Sequence, residues 1–495
     1  MDFADRDYGQ RSHKMPIKIN RFNDLNKLFS EGLVLNKRGG FAEDSIEDTE
    51  SVSIADVWGW HLYARLRIGA AYTKSVDADA EDQLVDIYER FTNAAAGAVQ
   101  IFGERVVLLE HQGEMLHFHL SAGENEKQVV TAFANVLAAL VKEKVMPSEG
   151  AYGFSMAAQY GRSVILLVPS ATKEESAYSR VSLGPNANSP AKKVIRNTAT
   201  DDWTLALKNN EDGVWARVGV IPDFESVRRS TAKELFEKVA NRFSARATAC
   251  DSIEPVEQEA ENAPISRYGY MFRADQDGFT AKVRAAFESG TEADVDRLVV
   301  SFLNFMKAAR AWQEEGVEGT TIIVCPWAGD CCNMVVVPTG DEQESDADAS
   351  RRLISSFPTK FVRAWEEFAR ENASEVASEW SYGMAEGRVK IFVKALDDHK
   401  YRLFVGWPVG VSLEAVNLET NNVRDLSMHK DDVFQMTVKV RDSYKKVNDS
   451  YYTQTGSSRD EVVKDMVKSA GAFARRTEYA DRTVPPSRPY SDFTV

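Results

Sequence analysis

The chain has 495 residues, with 75 acids against 60 bases and a net charge of −15. That length fits two domains with a core each, and the acidity argues against a nucleic-acid binder or a protein that docks on an anionic membrane. No apolar run reaches the roughly 18 residues of a membrane helix, and the N-terminus lacks a charged-then-apolar leader, so a soluble, cytoplasmic protein is expected.

Residues 1–48 form a polar N-terminal extension, with one short helix expected in FNDLNKLFSEGLVL. A first module is expected over 49–250. It opens with a strand, SVSIADVW, and a helix whose apolar residues recur at helical spacing over 80–102. RVVLLEHQGEMLHFHL reads as strand, turn, strand, and EKQVVTAFANVLAALVKEKV as a second helix. YGFSMAAQYGRSVILLVP reads as a hairpin turning at Tyr160-Gly161, and a helix near 230–244 closes the module. An acidic linker with two prolines spans 251–265.

The second module, 266–440, repeats the order. SRYGYMFRADQDG is a strand, 292–315 a helix, and 320–338 a hairpin. After the acidic loop DEQESDADA comes a helix over 350–371, bent at Pro358, and then a hairpin in WSYGMAEGRVKIFVKAL. Residues 441–495 hold one expected helix, RDEVVKDMVKSAGAFARR, and a flexible tail. Hairpin-rich strands alternating with helices imply an antiparallel sheet with helices packed on it, an α+β fold.

Two strings carry chemistry. RADQDGFT (273–280) places Asp275 at a strand end before Gly278-Phe279, and AGDCC places Asp330 at the tip of the following hairpin, 330 − 275 = 55 residues on. Two hard carboxylates so delivered suit a Mg²⁺ or Mn²⁺ pair holding a triphosphate. A weaker copy lies upstream, with Asp56, Gly59 and Trp60 followed by Gly113-Glu114 at 114 − 56 = 58. A third landmark, YSRVSLGPNANSPAKKV (178–194), has a counterpart in YRLFVGWPVGVSLEAVN (401–417). The intervals to its Gly are 184 − 56 = 128 and 406 − 275 = 131, which points to an internal duplication.

These motifs resemble those of the class III nucleotidyl cyclases, Asp-Ile-x-Gly-Phe-Thr followed by Gly-Asp. The resemblance implies two ferredoxin-like (βαββαβ) modules in tandem, wrapped as an intramolecular pseudo-dimer with sites built between them. It implies that Asp275, Asp330 and the backbone carbonyl of Gln276 hold two Mn²⁺ or Mg²⁺ ions, and that backbone N–H groups at Gly278, Phe279 and Thr280 cradle the phosphates. Asn188 and Lys192 would stabilise charge from the other module, with Lys192 standing where the family has Arg. A helix from 187 would put both on one face, with Pro190 in its first turn. Glu110 and Val181 fall at the base-reading positions, and Lys400 and Arg402 are candidates for further phosphate contacts. The opposite site would pair Asp56 and Glu114 with Gly410 and Glu414 and should be inactive.

Glu110 can accept from guanine N1–H or uracil N3–H and matches ATP poorly. The layout resembles the tandem pyrimidine cyclases of bacterial antiphage (Pycsar) systems. That implies conversion of UTP to 3′,5′-cyclic UMP and pyrophosphate by a pseudo-dimeric monomer or a homodimer, with a cyclic-nucleotide-binding effector reached through the product. Guanylate, cytidylate or adenylate cyclisation, and an inactive cyclase-fold nucleotide sensor, are the alternatives. A diguanylate-cyclase-like enzyme shares the core, but its Gly-Gly-Asp-Glu-Phe signature is missing. Cys250, Cys325, Cys331 and Cys332 fit neither a zinc template nor a disulfide framework. His117 and His119 share one strand face, but no third ligand is near in sequence, which favours packing.

Overall fold

The computed structural model describes residues 18–29, 51–69, 78–148, 150–169, 178–196, 203–210, 213–220, 265–276, 278–317, 319–324, 330–338, 357–373, 379–396, 399–406, 408–409, 412, 434–436 and 472–478. The first half holds β1 (Lys18–Phe22), β2 (Ser51–Ile68), α1 (Ala78–Phe102), β3 (Val106–Gln112), β4 (Met115–Leu120), α2 (Lys127–Lys144), β5 (Ala151–Pro169), β6 (Tyr178–Leu183), α3 (Pro185–Arg196), β7 (Thr204–Lys208) and β8 (Trp215–Gly219). The second half holds β9 (Ile265–Gln276), α4 (Phe279–Glu288), α5 (Glu292–Glu315), β10 (Thr320–Val324), β11 (Cys332–Pro338), α6 (Phe357–Glu371), β12 (Glu379–Leu396), β13 (His399–Val405), β14 (Phe434–Met436) and β15 (Ala472–Glu478).

The two sheets share a plan. The first runs β3-β4-β2-β5, with β6 on the far part of β5; the second runs β10-β11-β9-β12, with β13 on β12. Every pair in these two sets is antiparallel. With the helices between strands, each half follows a βαββαβ path, the ferredoxin-like order. The edges differ, because β7 joins β5 in parallel whereas β15 joins β12 antiparallel.

Alternation places the strand faces. Trp60, Leu62, Ala64 and Leu66 of β2 point into the core made with α1 and α2, while His61, Tyr63 and Arg65 point to the other face. In α1, Leu84, Tyr88, Phe91, Ala95 and Ala98 follow at helical spacing and are buried. The α2 helix is buried from Val129 to Val141 on nearly every side, as befits its apolar sequence. Thr291 caps α5 by accepting from the Asp294 N–H at 3.3 Å.

Two expected hairpins are single strands. β5 runs unbroken through Tyr160-Gly161, and β12 through Glu386-Gly387. Gly161 is there for close packing rather than a turn. It pairs with Gly59, and a Cβ on it would sit 2.9 Å from Asn186 Cγ of α3. α3 starts at Pro185, earlier than expected, so Pro190 lies past the first turn. Pro358 is the second residue of α6 as described, where a helix tolerates it, and α4 was not anticipated. Residues expected outside the modules join the sheets. β1 pairs with β2, and residues 472–476, expected as helix, belong to β15 on β12. The helix near 230–244 and the acidic loop lie outside the described residues.

The halves share cores reciprocally. Ile54, Val164, Leu166, Val181 and Leu183 of the first half pack against Phe279, Val283, Val295, Val299 and Phe302 of α4 and α5. Phe392, Tyr401, Leu403 and Val405 of β12 and β13 join the core around α1. Thus the long-strand hairpin of each half meets the first helices of the other. The buried Tyr401 hydroxyl donates to Leu108 O at 3.0 Å across this contact.

Candidate active site

β9 ends at Gln276 and turns through Gly278 into α4. Gly278 has φ 75°, left-handed backbone in which a side chain is strained, so glycine permits the abrupt strand-to-helix turn. β11 pairs with β9 at Cys332↔Ala274, so Cys331 and Asp330, next toward the hairpin tip, fall beside Asp275 and Gln276. The Cys331 thiol is pushed far up by burial and then by Asp275, with Asp330 adding in the same sense. A protonated thiol leaves an oxygen donor set of two carboxylates, the chemistry that hard divalent cations prefer. Among the described residues no group of three or more His, Cys, Asp or Glu side chains is arranged to hold a metal ion, so Asp275 and Asp330 would need a substrate's oxygens to complete a coordination shell. The Phe279 side chain is 2% exposed and packs at 5.4 Å on Phe302, which leaves only its backbone for ligand contact.

The first half reaches this turn through α3. Lys192 Nζ lies 3.4 Å from Thr280 Oγ1 at the start of α4. Asn188 sits one turn earlier on the same helix. Ala191 and Val194 anchor the opposite side of α3 on Tyr63 and Ala157. The structure therefore brings Asp275, Gln276, Asp330, Gly278, Thr280 and Lys192 to one end of β9.

Register corrects the alignment of the upstream copy. In the first hairpin Met115 pairs with Arg65, and the Leu66 N–H donates to Glu114 O at 2.8 Å. The hairpin-tip acid Glu114 thus corresponds to Asp330, and the strand residue that corresponds to Asp275 is Arg65, on the same sheet face. Asp56 lies nine residues upstream. Arg65 clamps Glu114 through Nε at 2.9 Å and Nη2 at 2.6 Å, so an ion pair stands where the second half has two acids. Asp56 is held by Arg162 at 2.9 and 2.6 Å and by Arg21 at 3.7 Å; Arg21 also bonds Asp296 of α5. The Gly184 and Gly406 landmarks do correspond, each following the strand that pairs with the long one. Gly410 and Glu414 lie outside the described residues.

Lys400 and Arg402 do not belong to the Asp275 site. Lys400 pairs with Ala395 on β12, whereas Asp275 pairs with Ser381, fourteen residues away along the same strand. At about 3.3 Å per residue that is roughly 46 Å.

Glu110 and Val181 lie on β3 and β6, whose ends meet. Arg180 Nη1 donates to Leu108 O at 3.0 Å. Val181 is 1% exposed, in the apolar cluster that holds Phe279. Glu110 accepts from Gln112 Nε2 at 2.9 Å and faces His117 Nδ1 at 3.9 Å. His117 is stacked on Tyr63, with ring centroids 4.0 Å apart, and its Nε2 is 2.9 Å from His61 Nδ1; His61 Nε2 is 2.8 Å from Ser163 Oγ. Burial, then His117 and His119, hold His61 well below the usual imidazole range, and burial takes His119 down to about 3. His61 is the third histidine that spacing did not bring near His117 and His119. The signal was the alternation of His61, Tyr63 and Arg65 with Trp60, Leu62 and Ala64, which carries β2 past Trp58.

No protein-family model and no curated protein matches the chain. Among solved structures, a class III adenylyl cyclase-like ATP-binding protein from Pseudomonas aeruginosa superposes with a TM-score of 0.51 at 15% identity, over 81% of this chain and 86% of that one. The fold is class III adenylyl cyclase-like. The adenylyl cyclase CyaB from P. aeruginosa matches at 15% identity and TM-score 0.22, covering 45% of this chain and 99% of that one. The monomeric guanylyl cyclase domain of RhoGC from the fungus Blastocladiella emersonii matches at 12% identity and TM-score 0.23, over 32% and 83%. No described helix is long and apolar enough to cross a membrane.

Proposed function

We propose that the chain is a nucleotidyl cyclase whose single site lies between two cyclase-like modules folded as an intramolecular pseudo-dimer. The observation that carries this reading is the contact of Lys192 in one half with Thr280 in the other, at the end of β9 that bears Asp275. The class III cyclase-like fold and the reciprocal cores support it.

In this reading Asp275 and Asp330, with the Gln276 carbonyl, hold two Mg²⁺ or Mn²⁺ ions. When bound, these lower the pKa of the ribose 3′-hydroxyl and offset triphosphate charge. The N–H groups at the start of α4 cradle phosphate oxygens. The 3′-hydroxyl gives up its proton to solvent, its oxygen attacks the α-phosphorus in line, the bond to the bridging oxygen breaks, and pyrophosphate leaves. Lys192 neutralises the charge that moves onto the leaving group, and Asn188 orients the ribose. Glu110 reads the base. Its acceptor-only carboxylate fits uracil or guanine, and the tandem layout favours UTP, giving 3′,5′-cyclic UMP, with GTP the closest rival. The product would serve as a second messenger in antiphage defence, acting on a cyclic-nucleotide-binding effector.

The second reading is a nucleotide-binding protein of this fold without turnover. It is favoured by Lys192 at a position where the family has Arg and by a structural neighbour described as a cyclase-like ATP-binding protein. Pyrophosphate release from nucleoside triphosphates with Mn²⁺ separates the two. Release that depends on Asp275 supports cyclisation; binding without release sinks it.

A further inference from the structure

Under α3 the first half buries a polar chain that the cyclisation chemistry leaves unused. It runs from Glu110 on β3 through His117 on β4 and His61 on β2 to Ser163 on β5. His61, His117 and Ser163 are at most 1% exposed, and the Glu110 side chain 10%. The His117 ring is fixed twice, by its stack on Tyr63 and by the hydrogen bond to His61. Its Nδ1, though buried, has no hydrogen-bond partner, and Glu110 Oε1 at 3.9 Å is too far for a direct bond. Glu110 Oε2 is already engaged by Gln112. Oε1 thus remains for a donor arriving from outside. Tyr63, which carries the imidazole, also packs on the helix that bears Lys192, so base and phosphate ends would lie on one support.

We propose that His117 is the positioning residue that sets base choice, by presenting Glu110 as a hydrogen-bond acceptor to a base with a ring N–H, uracil or guanine, and against adenine and cytosine. This rests on the reading of the cleft as a nucleotide site. An ionised carboxylate only accepts. It pairs with uracil N3–H or guanine N1–H and meets the bare lone pair of adenine N1 or cytosine N3 unfavourably. A buried carboxylate without donors is costly, and among the described residues the imidazole faces Glu110 Oε1 while Gln112 donates to Oε2. A neutral His61 accepts from the Ser163 hydroxyl at Nε2 and donates its Nδ1–H to His117 Nε2, which leaves the one N–H of His117, at Nδ1, directed at Glu110. Without the imidazole the carboxylate loses the donor that faces it and its fixed orientation toward the base, and the preference collapses.

The test uses the full chain with Mg²⁺ and the four 3′-deoxynucleoside triphosphates, which bind but cannot cyclise. Wild type should bind the uracil or guanine nucleotide about tenfold or more tighter than those of adenine and cytosine. His117→Phe keeps the aromatic stack and should bring all four within about threefold, with triphosphate affinity as such retained; His117→Gln, which keeps a donor, should restore part of the preference. Folded His117→Phe and His117→Gln proteins with the wild-type preference would overturn the proposal, as would a wild type that prefers adenine or cytosine. If wild type shows the preference but releases no pyrophosphate from ribonucleotides, the cyclase reading fails and this one stands. If no triphosphate binds, both fail.

Discussion

Lys192 and Thr280 are 88 positions apart and lie on helices of different halves, yet the ammonium nitrogen of one lies 3.4 Å from the hydroxyl of the other. Lys192 is on the exposed side of α3, and Thr280 stands in the first turn of α4, just after Gly278. A triphosphate bound by the N–H groups there would meet the ammonium from the opposite half. Lys192→Ala should lower kcat by roughly 10²–10³, the range for loss of one preorganised donor, with a smaller change in KM. Lys192→Arg should keep most of the rate, because the charge and reach persist. Steady-state kinetics on both variants checks this; a Lys192→Ala enzyme within threefold of wild type would remove Lys192 from the mechanism.

Asp275→Asn and Asp330→Asn should each reduce turnover below about a tenth of wild type, since Asn is a poor ligand for hard cations. Both should keep the wild-type melting temperature within about 2 °C, because neither acid sits in a core cluster. Equal loss of melting temperature and activity would instead mark these acids as structural.

Glu114→Gln should leave activity unchanged, because its partner Arg65 occupies the place of a metal-binding acid. The pair is about a quarter exposed, so its loss should cost no more than about 1 kcal/mol. Asp56→Asn removes the charge and one of the two acceptor oxygens that Arg162 engages and should cost about 1–2 kcal/mol in urea unfolding, again with little effect on rate. An inactive but stable Glu114→Gln protein would mean that the functional site is the one in the first half.

The repeated helices were legible because their apolar spacing is strong. So were both hairpins with acidic tips, Glu114 and Asp330. The first-half acid was not, since Asp56 stood at a plausible interval while the true register depends on which β2 residue faces Met115. That residue is Arg65, and only pairing reveals it. Tyr160-Gly161 looked like a turn because the sequence does not show that Gly59 lies opposite and that Asn186 fills the space. The displacement of Lys400 and Arg402 from the Asp275 site follows from the unbroken course of β12, which Gly383 and Gly387 disguised as a hairpin.

The buried histidines set a pH dependence. Burial lowers His111 and His119 from 6.5 to about 3, and His61 is lowered as well. The unfolded chain therefore takes up protons that the folded chain refuses. Stability from this source is fully present above about pH 6.5 and is lost as pH falls toward 3. His111 and His119 should each cost about 2 kcal/mol at pH 5 relative to pH 8, with His61 acting in the same direction. Urea midpoints at the two pH values check this, and His111→Leu should recover about one histidine's share; an unchanged difference would show that His111 does not contribute.

The account stands most directly on the product formed from an equimolar mixture of ATP, GTP, CTP and UTP with Mn²⁺, identified by mass spectrometry. It predicts a 3′,5′-cyclic nucleotide, cyclic UMP foremost, with an equal amount of pyrophosphate, and neither from the Asp275→Asn chain. Four unchanged triphosphates in the presence of measurable nucleotide binding would contradict it.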